Sequence, residues 1–326
     1  MTHISTDIDQ ALALLRQGDL VAIPTETVYG LAADASQPDA VAKIFAMKGR
    51  PSDHPIIVHI AGIEQLSQWA RDIPEVAYQL AAAFWPGSLT LILPRQTGVS
   101  DAVTGGQDTV GLRAPAHPLT HELLTRFGGG LAAPSANRFG HVSPTLASHV
   151  AAEFGHALPL ILDGGPCRIG VESTIVGLTT DEPTLLRPGG IPAEAIEAVL
   201  GCKLVHHRRS DTAKIRVSGL LDSHYAPHTP LTIGALPLLL AEAIQRTAAG
   251  KRVALLHRSP TVSYPAGVYG QTMPEDAESY ARILYATLRE FDRQGFDLLL
   301  LETPPAGPAW LAIEDRLQRA ATHRLG

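Results

Sequence analysis

Two cysteines, Cys167 and Cys202, are all that 326 residues hold. They are too few to staple a chain this long, so both are read as reduced thiols and the setting as cytoplasmic. Aromatic residues reach only 5%, and no aromatic-rich stretch offers bases a stacking platform. No apolar run approaches a membrane span. The opening MTHISTDIDQALALLRQGD puts acidic residues before its apolar stretch and lacks the basic flank and cleavage site of a signal peptide. Lysine is scarce, five of 26 basic residues, and the net charge of −6 argues against broad or strong nucleic-acid binding. Repeats and low-complexity tracts are absent. So are GxxxxGK[ST], GxGxxG and kinase signatures, so a nucleotide site here needs a different cradle.

What is present is globular. Hydrophobic residues make up 45% and charged residues 18%, and apolar segments alternate with turn signals from 29 Gly and 25 Pro. The length favours two domains. Ile8, Ala11, Leu12 and Leu15 have helical spacing, Gly18 stops that helix, and a strand follows at 20 to 23. Ser36 is placed as the cap of a second helix that carries Val41, Ile44 and Phe45 and ends at Gly49 and Pro51. IIVHI, residues 56 to 60, reads as a buried strand. Further strands are expected at 89–93, 109–112, 131–133, 158–162 and 173–178, and helices at 74–84, 118–126, 144–154 and 192–199. Strands that follow one another without a helix indicate a mixed sheet. Residues 202–230 lack periodicity and read as a linker. Beyond them, helix 236–248, strand 252–257, helix 276–293, strand 297–302 and helix 308–322 form a smaller α/β unit.

Four stretches carry polar groups suited to chemistry. IPTETVYGLAAD, residues 23 to 34, leaves a strand and offers Thr25, Glu26, Thr27 and Tyr29, the place where ligand crevices form in α/β proteins; an ordinary turn is the competing reading. KGRPSDHPIIVHI puts Lys48 and Arg50 at a helix end, which suits a polyphosphate or simply a solvated helix C-terminus. In LAAPSANRFGHVSPT, residues 131 to 145, Ser135 and Asn137 follow a strand, and Ser143 before Pro144 has the form of a helix N-cap open to phosphate, although capping alone accounts for it. In GVESTIVGLTTDEPTLLRPGG, residues 170 to 190, a Ser-Thr pair opens a strand and Arg187 sits in a turn where its planar guanidinium can grip an anion.

Together these segments resemble the YrdC-like threonylcarbamoyl-AMP synthases in their long, two-domain form. Lys48 and Arg50 with Ser135 and Asn137 reproduce the family's KxR…SxN set. PTETVYGL, KGRP, APSAN, ESTIV and LRPG stand in the family's order over residues 7 to 200. HYAP at 224–227 and WLAIEDRLQRAA at 310–321 match the extra C-terminal part.

The resemblance implies a YrdC-like mixed twisted sheet with helices over 1–201, a linker over 202–230, and a Rossmann-like α/β domain over 231–326. It implies conversion of threonine, bicarbonate or CO2, and ATP to threonylcarbamoyl-AMP, pyrophosphate and water. The product would pass to a transferase that modifies transfer RNA next to the anticodon. Carried over by motif position, Lys48, Arg50, Ser135 and Asn137 form the catalytic set. Arg50, His54, Thr109, Ser135, Ser143, Arg187, His224 and Tyr225 take ATP, the last two from a linker loop that folds over the nucleotide. Thr27, His59, Arg113, Ala133 and Ser173 take threonine, with Arg113 on its carboxylate. Mg²⁺ is expected with ATP, held by phosphate oxygens and water rather than by protein ligands, and no prosthetic group is implied. The chain departs from the family at His54, where Asn is usual, and at Ser218-Gly219, where Pro-Gly is usual. Two rival functions stand beside this one: a carbamoyl-adenylate-forming enzyme fed by carbamoyl phosphate, and an RNA-binding module without catalysis.

Overall fold

A computed structural model describes residues 3–206, 216–217 and 225–325. The chain divides into two compact units, residues 1–139 with 143–220, and residues 140–142 with 221–326. The segment 202–230 contributes described residues to both. Val205–His206 is a strand of the first unit, Arg216 and Val217 belong to the same unit, and Tyr225 to Pro230 belong to the second.

Among the described residues the first unit has strands β1 (Ile4–Ser5), β2 (Val21–Ile23), β3 (Gly30–Asp34), β4 (Ile57–His59), β5 (Leu89–Pro94), β6 (Thr109–Arg113), β7 (Leu131–Ala132), β8 (Leu160–Leu162), β9 (Thr174–Gly177), β10 (Thr184–Arg187) and β11 (Val205–His206). They lie in one sheet in the order 1-8-2-3-7-4-6-5-9-10-11. The pairing is mixed: β2 with β3 and β5 with β6 are antiparallel, whereas β4 with β6 and β5 with β9 are parallel. The helices are α1 (Ile8–Arg16), α2 (Pro38–Lys48), α3 (Leu66–Trp69), α4 (Glu75–Phe84), α5 (Asp101–Thr104), α6 (Pro118–Phe127), α7 (Ala147–Phe154) and α8 (Ala193–Leu200).

Periodicity explains how α1 and α6 seat themselves. Ile8, Ala11, Leu12 and Leu15 of α1 and Leu123 and Leu124 of α6 close over Val21, Ile23, Ala32, Leu131, Leu160 and Leu162 of the sheet. Two local expectations are corrected. Ser36 does not cap α2. The helix starts at Pro38 behind Gln37, and Ser36 instead donates to Asp34 Oδ1 at 2.7 Å. Proline at the first helical position has no N–H and so needs no acceptor there, and no side chain caps the helix. Nor does Ser143 cap the following helix, which begins at Ala147 behind Leu146. A third difference is that residues 30–34 are strand rather than loop, so Pro24 to Tyr29 becomes the connection of an antiparallel pair.

The second unit contains β12 (Leu231–Gly234), α9 (Leu236–Ala248), β13 (Val253–His257), β14 (Val268–Thr272), α10 (Ala277–Arg293), β15 (Leu298–Glu302), α11 (Leu311–Ala320) and β16 (His323–Leu325). Its strands are all parallel, in the order 14-13-15-12-16. Central β13 and β15 read VALLH and LLLLE because a parallel strand covered on both faces buries nearly every side chain. Edge strands β14 and β16 read VYGQT and HRL, keep exposed residues, and show no apolar run.

Candidate active site

The connection after β2 is folded by its own hydroxyls. Thr25 Oγ1 donates to Val28 O at 2.6 Å and accepts from the Thr27 and Val28 amides at 3.2 Å, a turn that serine and threonine form locally. With that proton committed, the 2.8 Å contact between the two hydroxyls is a donation from Thr27 to Thr25. Tyr29, fully buried, donates its hydroxyl to Gly165 O at 2.8 Å, and burial foremost raises its pKa.

Between Thr25 and Thr27, Glu26 turns inward, 3% exposed, and accepts from Arg113 Nη2 at 2.6 Å and from the Ala116 amide at 3.0 Å. Arg113, at the end of β6, also donates Nε to Gly87 O at 3.2 Å. Its Nη1 has no hydrogen bond among the described residues. His59 lies opposite Arg113 in the pairing of β4 with β6. Burial, and then the Arg113 charge, push its pKa down to about 3, so the ring is neutral at ordinary pH. Cys167 is no nucleophile here. Burial foremost, then Glu26, push its thiol up to about 12.

The second cluster is cationic. Lys48 ends α2, and Gly49, left-handed at φ 63°, turns the chain so that Arg50 follows. Both side chains are buried rather than solvent-lined. Lys48 Nζ donates to Ser135 O at 2.6 Å and Asn137 O at 2.5 Å, and Arg50 Nη2 donates to Pro55 O at 2.9 Å. The KxR and SxN halves of the motif are therefore joined directly, through main-chain oxygens 87 and 89 residues distant from the lysine. Asn137 Nδ2 donates to Arg138 O at 2.7 Å. The ring of His54, 5.7 Å from that of Phe139, has its pKa lowered by burial and then by Arg50.

A third group brings ESTIV and LRPG together. Arg187 donates Nε and Nη2 to Ser173 O at 3.2 and 2.9 Å and Nη2 to Ser173 Oγ at 3.2 Å, while Ser173 Oγ lies 2.7 Å from Thr90 Oγ1. Gly189 makes this fit possible, since a Cβ there would come 2.3 Å from the Ser173 carbonyl carbon. Ser143 donates to Glu172 Oε1 at 2.7 Å.

The first unit thus sets His59 beside Arg113, ties Ser173 to Arg187 and Thr90, and ties Lys48 to the main chain of Ser135 and Asn137. Thr109 opens β6, and Ala133 donates its amide to Ile57 O at 3.1 Å. Tyr225 lies in the second unit. Its backbone is at φ 64°, and its buried ring stacks on Tyr285 with centroids 5.9 Å apart beneath the Arg316 guanidinium at 5.2 Å. His224, Ser218 and Gly219 fall outside the described residues. In sequence, Glu26 is one polar group among several at a strand exit, and Glu172 stands before the Ser-Thr pair without a sign of its partner. Their inclusion in PTETVYGL and ESTIV was the available signal, but the partners that explain them are remote in sequence. Among the described residues no helix is long and apolar enough to cross a membrane, and no three His, Cys, Asp or Glu side chains gather as a metal site would require.

A mixed sheet that holds buried Lys48, Arg50, Arg113 and Arg187 among hydroxyls and main-chain groups defines an α/β enzyme domain for small anionic molecules. Residues 13–189 match the Sua5/YciO/YrdC family model, described as "Telomere recombination", and residues 191–322 match that of "Threonylcarbamoyl-AMP synthase, C-terminal domain". The chain belongs to this family, in its two-domain form. It is 45% identical over 328 residues to threonylcarbamoyl-AMP synthase of Bacillus subtilis (strain 168), covering 98% of this chain and 94% of that one. Identity to the threonylcarbamoyl-AMP synthase of Pyrococcus abyssi is 42% over 325 residues, covering 97% and 94%. The crystal structure of P. abyssi Sua5 complexed with L-threonine superposes with a TM-score of 0.91 at 39% identity, covering both chains in full.

Proposed function

We propose that this chain is an L-threonylcarbamoyladenylate synthase, which joins L-threonine, bicarbonate or CO2, and ATP into threonylcarbamoyl-AMP with release of pyrophosphate and water. The observation that carries the reading is the presence of two buried cationic groups in one unit: Arg113, pinned at two points with Nη1 unengaged among the described residues, and Lys48, tied to the Ser135–Asn137 loop, with Arg50 close behind it.

In this reading Arg113 takes the threonine carboxylate, and Thr27, neutral His59, Ser173 and the Ala133 main chain surround the rest of the amino acid. Arg50, His54, Thr109, Ser135, Ser143 and Arg187 take ATP. Bicarbonate takes up a proton and loses water to give CO2, the threonine amine adds to that carbon and releases a proton as the carbamate forms, and the carbamate oxygen then bonds to the α-phosphorus as the bond from that phosphorus to the pyrophosphate oxygen breaks. Lys48, Arg50 and Arg187 stabilise the charge that develops, with Asn137 beside the transferring phosphate. Such a step needs fixed positive charge and donors more than a covalent nucleophile, which agrees with a thiol kept protonated at Cys167. Mg²⁺ would accompany the triphosphate, held by phosphate oxygens and water, and would supply charge screening there. The roles of His224 and Tyr225 on ATP rest on the resemblance alone.

The division into a catalytic region over 1–201, a linker over 202–230 and a C-terminal domain over 231–326 belongs to the same proposal. So do delivery of the product to a transfer-RNA threonylcarbamoyl transferase and the cytoplasmic setting read from two unpaired cysteines. Pyrophosphate release is the test, with ATP and Mg²⁺, omitting threonine and bicarbonate in turn and comparing serine. Release that needs both and prefers threonine is expected. Release driven by carbamoyl phosphate instead overturns the threonine reading.

A further inference from the structure

Two buried carboxylates, Glu26 and Glu172, have no place in the substrate contacts above. We infer that they are positioning residues that divide the site between its two substrates: Glu26 sets the amino-acid half through Arg113, and Glu172 sets the nucleotide half through Ser143. The inference rests on the substrate reading just given.

Glu26 uses every oxygen it has. Oε1 accepts from Arg113 Nη2 at 2.6 Å, Oε2 from the Ala116 amide at 3.0 Å, and its carbonyl from the Ile169 amide at 2.8 Å. One side chain thereby ties the loop after β2 to the end of β6, while its main chain holds the segment before β9. Arg113, only 4% exposed, is not a cation that a protein buries without a counter-charge. The Glu26 bond and the Gly87 carbonyl fix the guanidinium plane at Nη2 and Nε, which leaves Nη1 for an incoming carboxylate. A guanidinium oriented beforehand loses little freedom when the ligand arrives.

Glu172 holds the hydroxyl of Ser143. Its Oε1 accepts the single proton of the Ser143 hydroxyl at 2.7 Å, and its carbonyl accepts from the Gly190 amide at 3.1 Å. Once that proton is committed, the Ser143 oxygen faces a ligand only as an acceptor. An acceptor suits an N–H or O–H group of the nucleoside and repels a phosphate oxygen. Glu172 therefore determines which part of ATP Ser143 meets.

The test uses the full-length protein and pyrophosphate release, varying one substrate while the others saturate. Glu26→Gln, which keeps the shape and removes the charge, is expected to raise KM for threonine about tenfold while KM for ATP stays within about twofold of wild type. The same variant is expected to narrow the preference for threonine over threonine amide, which lacks the carboxylate that Arg113 grips. Glu172→Gln is expected to show the mirror pattern, KM for ATP raised and KM for threonine held. Should either Gln variant fail to fold, Glu26→Asp, too short to span both Arg113 and Ala116, and Ser143→Ala carry the same comparison. Equal shifts in both KM values, or none, in folded variants of a threonine-dependent enzyme overturn the inference and leave the substrate reading standing. A wild-type protein that shows no threonine dependence overturns the substrate reading and this inference with it.

Discussion

The two units bury charge in different ways. In the first, two of the buried cations are held by partners far away in the chain: Arg113 by Glu26 across 87 residues, and Lys48 by Asn137 across 89. In the second, a buried cluster lies along one helix, where Asp315 accepts from Arg316 at 2.6 Å and from Arg319 one turn on at 2.8 Å. Burial raises the pKa of Asp315, but Arg316 and Arg319 outweigh that and hold its carboxyl below the usual range. Local pairing serves packing, since Arg316 is fully buried and lies over the ring of Tyr225. Pairing across the chain brings together side chains that no single element supplies.

The contrast can be broken most forcefully at the first unit's cations. Lys48→Met and Arg50→Ala are expected to lower kcat for pyrophosphate release by about a thousandfold, the scale on which a fixed charge aimed at a transition state acts. Near-normal turnover in a folded variant would remove the phosphate role. In the second unit, Arg316→Ala is expected to cost about 3 kcal/mol of stability, because a cavity opens over the ring of Tyr225 and half of a buried pair is lost. Urea unfolding, followed by amide exchange along α11, measures it.

Acid separates the units further. His59 is neutral in the fold, with a pKa near 3, against 6.5 when unfolded. The unfolded state therefore binds the extra proton as pH falls through 6.5, and stability drops by roughly 3 kcal/mol by pH 4. Wild type should lose this stability between pH 6.5 and 4, and His59→Gln should show a shallower slope in urea melts at the two pH values. The smallest effect belongs to the α10 cap, where Asp276 accepts from the Ser279 amide at 2.8 Å. Asp276→Ala should lower the urea midpoint of the second unit slightly and leave pyrophosphate release unchanged.

Local chemistry wrote a good part of this into the chain. The helical spacing from Ile8 to Leu15 and the apolar run of β15 each settle their own element, because propensity and periodicity act over a few residues. The motif segments likewise mark Lys48, Arg50, Ser135 and Asn137 as a set. Other features were decided only when the chain closed on itself. Strands β14 and β16 carry no apolar run and exist through pairing with β13 and β12. Ser143 looked like a cap and became a donor to Glu172. Lys48 and Arg50 looked solvated and are buried. Glu26 looked like one polar residue in a turn and became the counter-ion of Arg113. A hydrogen bond between residues ninety positions apart leaves no periodicity in sequence, and the cost of burying a charge is settled only by what the tertiary fold brings within 3 Å of it.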